Sequence, residues 1–190
     1  ESNYYSHEFS LFLNEFARDI SGDPSFHFHR GLKSIPVAAV RLVRPFTLRQ
    51  VFSLVPKFMA RLNDADFRVT RTTPNSAVIQ WHPGRQLAQV TPAIHRRYIH
   101  AACQVYQGVF AAIPPAHSKQ PLARIKENRC ALRGDDCCEW EFTWASSSPG
   151  VAAGRSSSNP PPIIVALLPF PFAPCQLEPL CEPIPVPSIR

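Results

Sequence analysis

The sequence predicts an α+β fold, in which several helices pack on an antiparallel sheet of hairpins and a disordered, Pro-rich C-terminal tail follows. Apolar residues recur at the helical spacing in three segments, 4–20, 47–64 and 91–113. Apolar and polar residues alternate around turn signals in two other segments, 66–82 and 121–144, which is typical of β-hairpins. The tail, residues 146–190, holds 11 of the 21 prolines, and proline disrupts both helix interiors and sheet hydrogen bonding.

The first predicted helix carries a stripe of large apolar side chains. The stripe consists of Tyr5, Phe9, Phe12, Leu13 and Phe16. Such a stripe packs either into a core or against another chain. The helix is therefore a candidate dimerisation element, and the chain a candidate homodimer. Residues 21–24, Ser-Gly-Asp-Pro, should end the helix.

Residues 25–46 are ambiguous in pattern. The stretch from Phe26 to His29 alternates like a strand. Two histidines on one strand face, His27 and His29, could ligate a metal ion. Because no third ligand stands nearby in the sequence, we interpret the stretch as a strand edge at the surface.

The second predicted helix begins with a capping box, in which Thr47 is followed three residues later by Gln50. Its apolar face carries Leu48, Val51, Phe52, Val55, Met59 and Leu62. Pro56 lies inside this pattern and should kink or split the helix, because proline lacks the N–H that the helix needs there.

The third predicted helix begins at Thr91-Pro92, a helix cap followed by proline at the first helical position. Pro114-Pro115 should end it. Its apolar face includes Cys103 and Tyr106, so the Cys103 thiol should point toward the interior of the domain.

The most distinctive motif is E-x-x-C-x-x-x-G-D-x-x-C-x-W, which runs from Glu127 to Trp140. Its Gly134-Asp135 pair is turn chemistry, because glycine adopts positive φ freely and aspartate bonds to its own backbone. A hairpin there would bring Cys130 and Cys138 together, with Glu127 one step along the strand. Two thiols and a carboxylate suit a soft-ligand metal site better than a hydrolytic one.

Together with the step from Cys103 to Gly108, C-x-x-x-x-G, this motif resembles the 4-vinyl-reductase-type small-molecule-binding domain. Domains of that family are sensors of phenol- and xylene-responsive transcription activators, and related segments precede histidine kinases and nucleotide cyclases. The resemblance is specific over residues 98–144, loose over 35–97 and absent beyond 145.

The resemblance implies a structural zinc ion held by Cys103, Glu127, Cys130 and Cys138. Four protein ligands would leave no position for an activated water. Cys137 could replace Cys138 as a ligand, although it alternates to the other strand face. The plainer alternative is that Cys103 is an ordinary core cysteine and that Cys130 and Cys138 merely pack.

The resemblance also implies a cavity for a small hydrophobic or aromatic effector. Such a cavity is mostly apolar, with a few polar groups that orient the ligand. The candidate binding residues are Trp81, Tyr98, Tyr106 and Phe110, with Phe58 as a further aromatic. His95 or His100 could orient a ligand hydroxyl. Each aromatic residue is, taken alone, equally compatible with ordinary core packing.

Composition and the absence of certain motifs argue against nucleic-acid binding, catalysis and membrane insertion. The net charge is +6, but the arginines are spread along the chain and form no dense block, so a solvated basic surface explains them and no direct nucleic-acid binding is expected. No nucleophile elbow, phosphate-binding glycine loop or helical H-E-x-x-H motif occurs, and we expect no enzyme. No apolar run is long enough for a membrane span, and no secretory signal pattern is present, which favours the cytoplasm and reduced thiols.

We therefore predict a bacterial sensor or ligand-binding domain over residues 1–145 and a disordered tail over 146–190. The domain would bind a small hydrophobic or aromatic effector and regulate an output domain (a kinase, a cyclase or a transcription activator) absent from this chain. Two alternatives remain: a ligand-free dimerisation or scaffold module, and an accessory protein of tetrapyrrole pigment synthesis. An absence of any pocket beside the 92–113 helix would favour the scaffold.

Overall fold

Helices pack against a four-stranded antiparallel sheet, which confirms the predicted α+β class. The structure is a computed structural model that describes residues 6–35 and 41–145. The Pro-rich tail, 146–190, lies outside the described residues.

Six helices are labelled in chain order within the described residues: α1 His7–Ser21, α2 Phe26–Lys33, α3 Leu48–Asn63, α4 Gly84–Leu87, α5 His95–Ala111 and α6 Ile113–Ser118. Two 3₁₀ turns cover Pro92–Ile94 and Ala131–Arg133. No helix in the described part of the chain is both long and apolar enough to cross a membrane.

The four strands are β1 Asp66–Thr72, β2 Ser76–His82, β3 Arg124–Arg129 and β4 Cys138–Thr143. Their order in the sheet is β1-β2-β4-β3, so the two predicted hairpins lie side by side and join through β2 and β4. In that central pair Trp81 lies opposite Cys138, and Ile79 opposite Trp140. All four side chains are fully buried, so this face of the sheet forms the floor of the core.

The predicted first helix is confirmed as α1, but its apolar stripe does not face the core. Leu11 and Asn14 are buried on the inner side. The outer side carries five large apolar residues that are roughly half exposed or more: Phe9, Phe12, Leu13, Phe16 and Ile20. Core packing is therefore wrong for the described residues of this stripe, and Tyr5 lies outside the described residues.

The predicted edge strand at Phe26–His29 is wrong, because this stretch is the first turn of α2. The Asp23 carboxylate accepts the Ser25 N–H at 2.8 Å and shapes the turn before the helix. The helix contains no β-branched residue, which removes the preference for a strand. His27 is buried and His29 half-buried, so these histidines do not share one strand face as a metal-binding pair.

Two glycines let α2 and α5 cross with their backbones in contact. A Cβ atom on Gly31 would lie 2.1 Å from the Val105 carbonyl oxygen, and one on Gly108 would lie 2.0 Å from the Phe28 carbonyl oxygen. Neither distance is possible between real atoms. The C-x-x-x-x-G step seen in the sequence therefore ends in a glycine because only hydrogen fits at this crossing.

The prolines in and after the predicted helices act differently from the prediction. The capping box of α3 is confirmed, since Thr47 and Gln50 exchange both bonds. Pro56 does not split the helix, which runs unbroken from Leu48 to Asn63 and buries the proline ring. Pro114 and Pro115 end α5 but also begin α6, because a helix's first turn needs no N–H from proline.

Replacing Gly108 with alanine should destabilise the domain by at least about 2 kcal/mol, since the added methyl group must push the α2 backbone away. Gly84→Ala is the matched control: no atom lies within 4 Å of its added Cβ, so stability should stay equal or rise by up to about 1 kcal/mol. Urea denaturation of both variants measures the difference. Equal stabilities would show that the helices do not cross in contact.

Candidate functional site

Three cysteine thiols meet where α5 approaches the start of β4. Cys103 projects from α5, Cys138 begins β4, and Cys130 follows β3. The Cys103 and Cys138 sulfurs are 2.9 Å apart, and the Cys103 thiol also hydrogen-bonds with Cys130. The structure thus brings together three of the four residues that the sequence proposed as metal ligands.

Two of the three thiols, Cys103 and Cys130, have pKa values shifted in opposite directions. Burial raises the pKa of Cys103 well above its usual range. The hydrogen bond from Cys103, helped by the backbone N–H of Leu132, lowers the pKa of Cys130 to about 6. Cys130 therefore carries the thiolate at neutral pH, and Cys103 remains a thiol that donates to it.

Glu127, the fourth proposed ligand, is held beside this cluster by an ion pair. Its carboxylate accepts a hydrogen bond from Arg133 Nη1 at 2.5 Å and a long one from Gln107 Nε2 at 3.5 Å. Gln107 lies one helical turn after Cys103 on α5. The negative charge of Glu127 also acts on the pKa of Cys130 and raises it, which shows that the two groups are near each other.

Within residues 6–35 and 41–145, no three or more His, Cys, Asp or Glu side chains stand in an arrangement that could hold a metal ion. Two thiolates on a tetrahedral zinc ion would lie about 3.8 Å apart. At 2.9 Å, Cys103 and Cys138 are closer than that. The donor chemistry suits zinc, but the sulfurs would have to separate by about 1 Å to accept it.

A second feature is a cavity of about 1150 Å³ between the helices. Its walls come from α1, α2, α3, α5 and α6, from Gln86 of α4, and from connecting residues that include Ile35, Leu42 and Phe46. Apolar side chains form much of the surface, among them Leu11, Val51, Val55, Met59, Val105 and Val109. This combination of size and lining is typical of a site for small organic ligands.

Two of the four predicted ligand-binding aromatics border this cavity. Tyr98 and Tyr106 line it from α5, and Phe58 lines it from α3. Trp81 and Phe110 do not border it, because both are fully buried in the core behind it. The histidines proposed to orient a hydroxyl are also absent from its walls: His95 bonds the Val90 carbonyl and His100 bonds Gln104.

A buried polar chain connects the core to the cavity wall. The Trp81 indole N–H donates to Gln86 Oε1 at 3.0 Å, and Gln86 Nε2 donates to the Tyr106 hydroxyl at 3.0 Å. Burial raises the pKa of Tyr106 to about 12, so its hydroxyl keeps its proton at neutral pH. Trp81 thus affects the cavity indirectly, because its hydrogen bond helps to fix the Gln86 amide and the Tyr106 hydroxyl in the wall.

The polar residues that α2 contributes to the cavity are His27 and Arg30. The sequence did not predict either of them as a ligand-binding residue. The cause is the strand assigned to residues 26–29. A helical signal was present, since the Asp23-Pro24-Ser25 turn precedes a stretch without β-branched residues. Gln86 was missed as well, because nothing in the local sequence marks a single glutamine as buried.

No protein-family model and no curated protein matches the chain. Among solved structures, it is similar to the phenol-responsive sensory domain of the transcription activator PoxR with phenol, at 13% identity and a TM-score of 0.45 over 62% of this chain. It is also similar to a trafficking protein particle complex subunit 3 from Naegleria fowleri, covalently bound to palmitic acid, at 14% identity and a TM-score of 0.35. That match covers 73% of this chain and 75% of the other.

The chain spans 60% of the PoxR domain's length. At these TM-scores and identities the likeness is a partial one, of fold alone. The membership in the 4-vinyl-reductase-type family stays a prediction from the sequence motifs.

His27 should make the stability of the domain depend on pH. Burial is the largest of the effects that lower its pKa to about 4, and Arg18, His100 and Arg30 add to it. The unfolded chain binds a proton at this histidine below about pH 6.5, whereas the folded chain does so only near pH 4. The stability from this group is therefore present above pH 6.5 and is lost as the pH falls toward 4.

At pH 5 this loss should reach about 2 kcal/mol relative to pH 7. Urea denaturation at both pH values measures it in the wild type, in His27→Gln and in His29→Gln. The His27 variant should lose this part of the pH dependence, and the His29 variant should keep it. An unchanged pH dependence in His27→Gln would contradict the assignment.

Proposed function

We propose that this domain is a non-catalytic sensor that binds a small hydrophobic or aromatic effector in the helical cavity and regulates a separate output domain. The observation that carries the proposal is the cavity itself, of about 1150 Å³, whose lining combines a large apolar surface with scattered polar side chains. Signalling requires that the effector prefer one of two domain arrangements. The helices that contribute to the walls are the elements whose packing an effector would bias.

The cavity favours the sensor over a ligand-free scaffold. A scaffold module has no need of an open space beside its central helix, and an empty apolar cavity costs stability because its walls lose packing contacts. Here α5 contributes a wall that includes Tyr98, Val105 and Tyr106. A cavity bordered by this helix supports the sensor over the ligand-free scaffold.

A bulky residue inside the cavity should block binding. The fluorescent probe N-phenyl-1-naphthylamine should bind the wild type, and Val55→Trp should weaken binding at least about tenfold because the indole fills the apolar wall. Lys57→Trp is the control, since Lys57 is on the same helix but exposed to solvent. If the wild type does not bind the probe, or both variants bind it equally well, the cavity is not the binding site.

We also propose that Cys103, Glu127, Cys130 and Cys138 hold a structural zinc ion. Cys103 already contacts both Cys138 and Cys130, and its hydrogen bond lowers the pKa of Cys130, which favours the thiolate form that binds metal. The ion would cross-link helix α5 and the β3–β4 hairpin. When bound it would supply cross-linking stability rather than chemistry, because a closed set of four protein ligands leaves no open position.

Elemental analysis of protein purified without chelator tests this proposal. The wild type should contain about one zinc per chain, and Cys130→Ser should lose it together with part of its thermal stability. Cys137→Ser is the matched control, because this adjacent cysteine is equally buried but takes no part in the thiol contacts. Wild-type protein without metal would remove the zinc site and leave a packed cluster of thiols.

A dimer is the second functional element we propose, through the outer face of α1. Phe16 is 63% exposed and Ile20 72% exposed, and three further apolar residues adjoin them. Because an aromatic side chain has about 150–250 Å² of surface, the five residues present roughly 500 Å² per chain. Two such faces bury about 1000 Å² together, the lower limit of a specific interface.

The exposed apolar face of α1 fits contact with a second copy of this chain better than contact with a membrane surface. Helices that lie on membranes carry several lysines or arginines beside the apolar face. α1 has a single basic residue, Arg18, against the acidic Glu8, Glu15 and Asp19. A pair of α1 helices related by a two-fold axis would cover both stripes and close the assembly.

Light scattering coupled to size exclusion tests the dimer. The wild type should elute as a dimer at concentrations on the order of 100 μM, and Phe16→Glu should be monomeric because a charge would be buried in the interface. Leu122→Glu is the control, since Leu122 is similarly exposed at 48% but lies before β3. A monomeric wild type would contradict the dimer and leave the effector proposal untouched.

A further inference from the structure

Two of the clustered thiols lie close enough to form a bond with each other. The Cys103 and Cys138 sulfurs are 2.9 Å apart. A disulfide bond holds two sulfurs about 2.05 Å apart, so this pair needs to close by only about 0.9 Å. The two residues are 35 positions apart in the sequence, and it is therefore the fold that brings them together.

The elements that carry the two sulfurs are held in place by other contacts. α5 crosses α2 with the backbones touching at Gly31 and Gly108. Cys138 begins β4 and lies opposite Trp81 in the central strand pair. Its sulfur also accepts the backbone N–H of Ala131 at 3.4 Å. Because helix and strand are each fixed independently, neither cysteine has to leave its element to reach the other.

The other two cysteines in the described part of the chain are placed differently. Cys130 contacts Cys103 from the end of β3, so it is a competing partner. Cys137 is also buried, but it directly precedes Cys138, and successive side chains along a strand point to opposite faces. The groups that act on the Cys137 thiol are charged side chains: Arg129, Asp136 and Glu139. Cys137 is therefore a matched control for Cys138.

A single turn of the chain lies between the pair and the solvent. The 3₁₀ turn Ala131–Arg133 lies against the sulfurs, as the bond from Ala131 to Cys138 shows. Leu132 is half-buried, whereas Arg133 and Gly134 are exposed. A small, uncharged hydroperoxide can approach buried thiols across so thin a cover, whereas exchange with a bulky disulfide needs a more open path to the sulfur.

The reaction with hydrogen peroxide balances without a further reactant. One sulfur attacks the peroxide, the O–O bond breaks, and a sulfenic acid and one water form. The second sulfur then attacks the sulfenic sulfur, the S–S bond forms and the S–OH bond breaks. The leaving hydroxide takes the proton of the attacking thiol and departs as a second water. The two thiols lose two electrons, which the peroxide gains.

We propose that Cys103 and Cys138 form a reversible disulfide when the protein meets a hydroperoxide, which makes the pair an oxidation site that cross-links α5 to the sheet. The inference goes beyond effector binding and does not rest on it. It does not require zinc either, because a metal ion on these sulfurs would be released as they lose their thiolate form. Since α5 borders the cavity with Tyr98 and Tyr106, the cross-link would restrain one cavity wall.

Peptide mapping after oxidation identifies the bond. Protein as purified is treated with excess hydrogen peroxide, its remaining thiols are blocked with N-ethylmaleimide, and a tryptic digest is analysed without reduction. The expected product joins peptide 98–119, which contains Cys103, to peptide 134–155, which contains Cys137 and Cys138. Dithiothreitol should separate the two peptides. No cross-link, or a link from 98–119 to the Cys130 peptide, 130–133, would overturn the proposal.

Two variants decide which cysteine of peptide 134–155 takes part. Cys137→Ala should form the cross-link as the wild type does, and Cys138→Ala should form none to this peptide. Far-UV circular dichroism shows that both variants are folded. A cross-link that persists in Cys138→Ala, or that disappears from folded Cys137→Ala, would contradict the assignment of Cys138.

Oxidation in urea above the unfolding midpoint separates a bond made by the fold from one made by chance. The unfolded chain has six cysteines without fixed neighbours, so Cys103 should give a mixture of links. In the folded chain the link to Cys138 should exceed any other link of Cys103 at least about tenfold, because the fold raises the effective concentration of one thiol at the other. The same mixture in both states would refute the proposal.

Discussion

The contact between Gly31 and Gly108 is the constraint on which the rest of the structure depends. It brings the backbones of α2 and α5 closer than any side chain would permit. Arg30 and Tyr106 thereby face the same cavity from two helices. The same placement of α5 leaves Cys103 within reach of Cys138 at the start of β4. A larger residue at either glycine would separate the walls of the cavity before it altered any of the polar groups.

The position of α5 joins the two candidate sites physically. Cys103 and Tyr106 are three residues apart on this helix, one in the thiol cluster and the other on the cavity wall. Because protein interiors are close-packed, a small displacement of α5 changes both the width of the cavity and the separation of the sulfurs. The buried chain from Trp81 through Gln86 to Tyr106 restrains such movement from the side of the sheet.

Much of the fold followed from local pattern. The sheet hairpins, the capping box of α3 and the nearness of Cys130 and Cys138 across the β3–β4 hairpin depend on residue alternation, cap chemistry and turn residues, all of which act over a few positions. Cys103 joined the candidate site through the family resemblance, because it lies on a different element, far away in sequence. One prediction failed where tertiary packing prevailed over pattern. Phe26–His29 alternates like a strand, yet close packing of Gly31 on α5 holds it in a helix.

The cavity was harder to predict than the fold. Trp81 and Phe110 have the same residue types as a pocket wall, but their position behind the wall depends on the sheet register and on the rotation of α5. Arg30 and Gln86 reach the cavity from separate elements, so no sequence spacing relates them to each other. The outer stripe of α1 was visible as a pattern, but only the fold shows which way it faces.

Amide chemical shifts, recorded by NMR during titration with N-phenyl-1-naphthylamine, test most directly whether this domain binds ligands between its helices. The largest changes should fall in α2, α3 and α5, around Arg30, Val55 and Tyr106, because these residues border the cavity. The sheet residues far from it should change little. Changes confined to the outer face of α1, or no changes at all, would show that the cavity is not a ligand site and would favour a module that works by association alone.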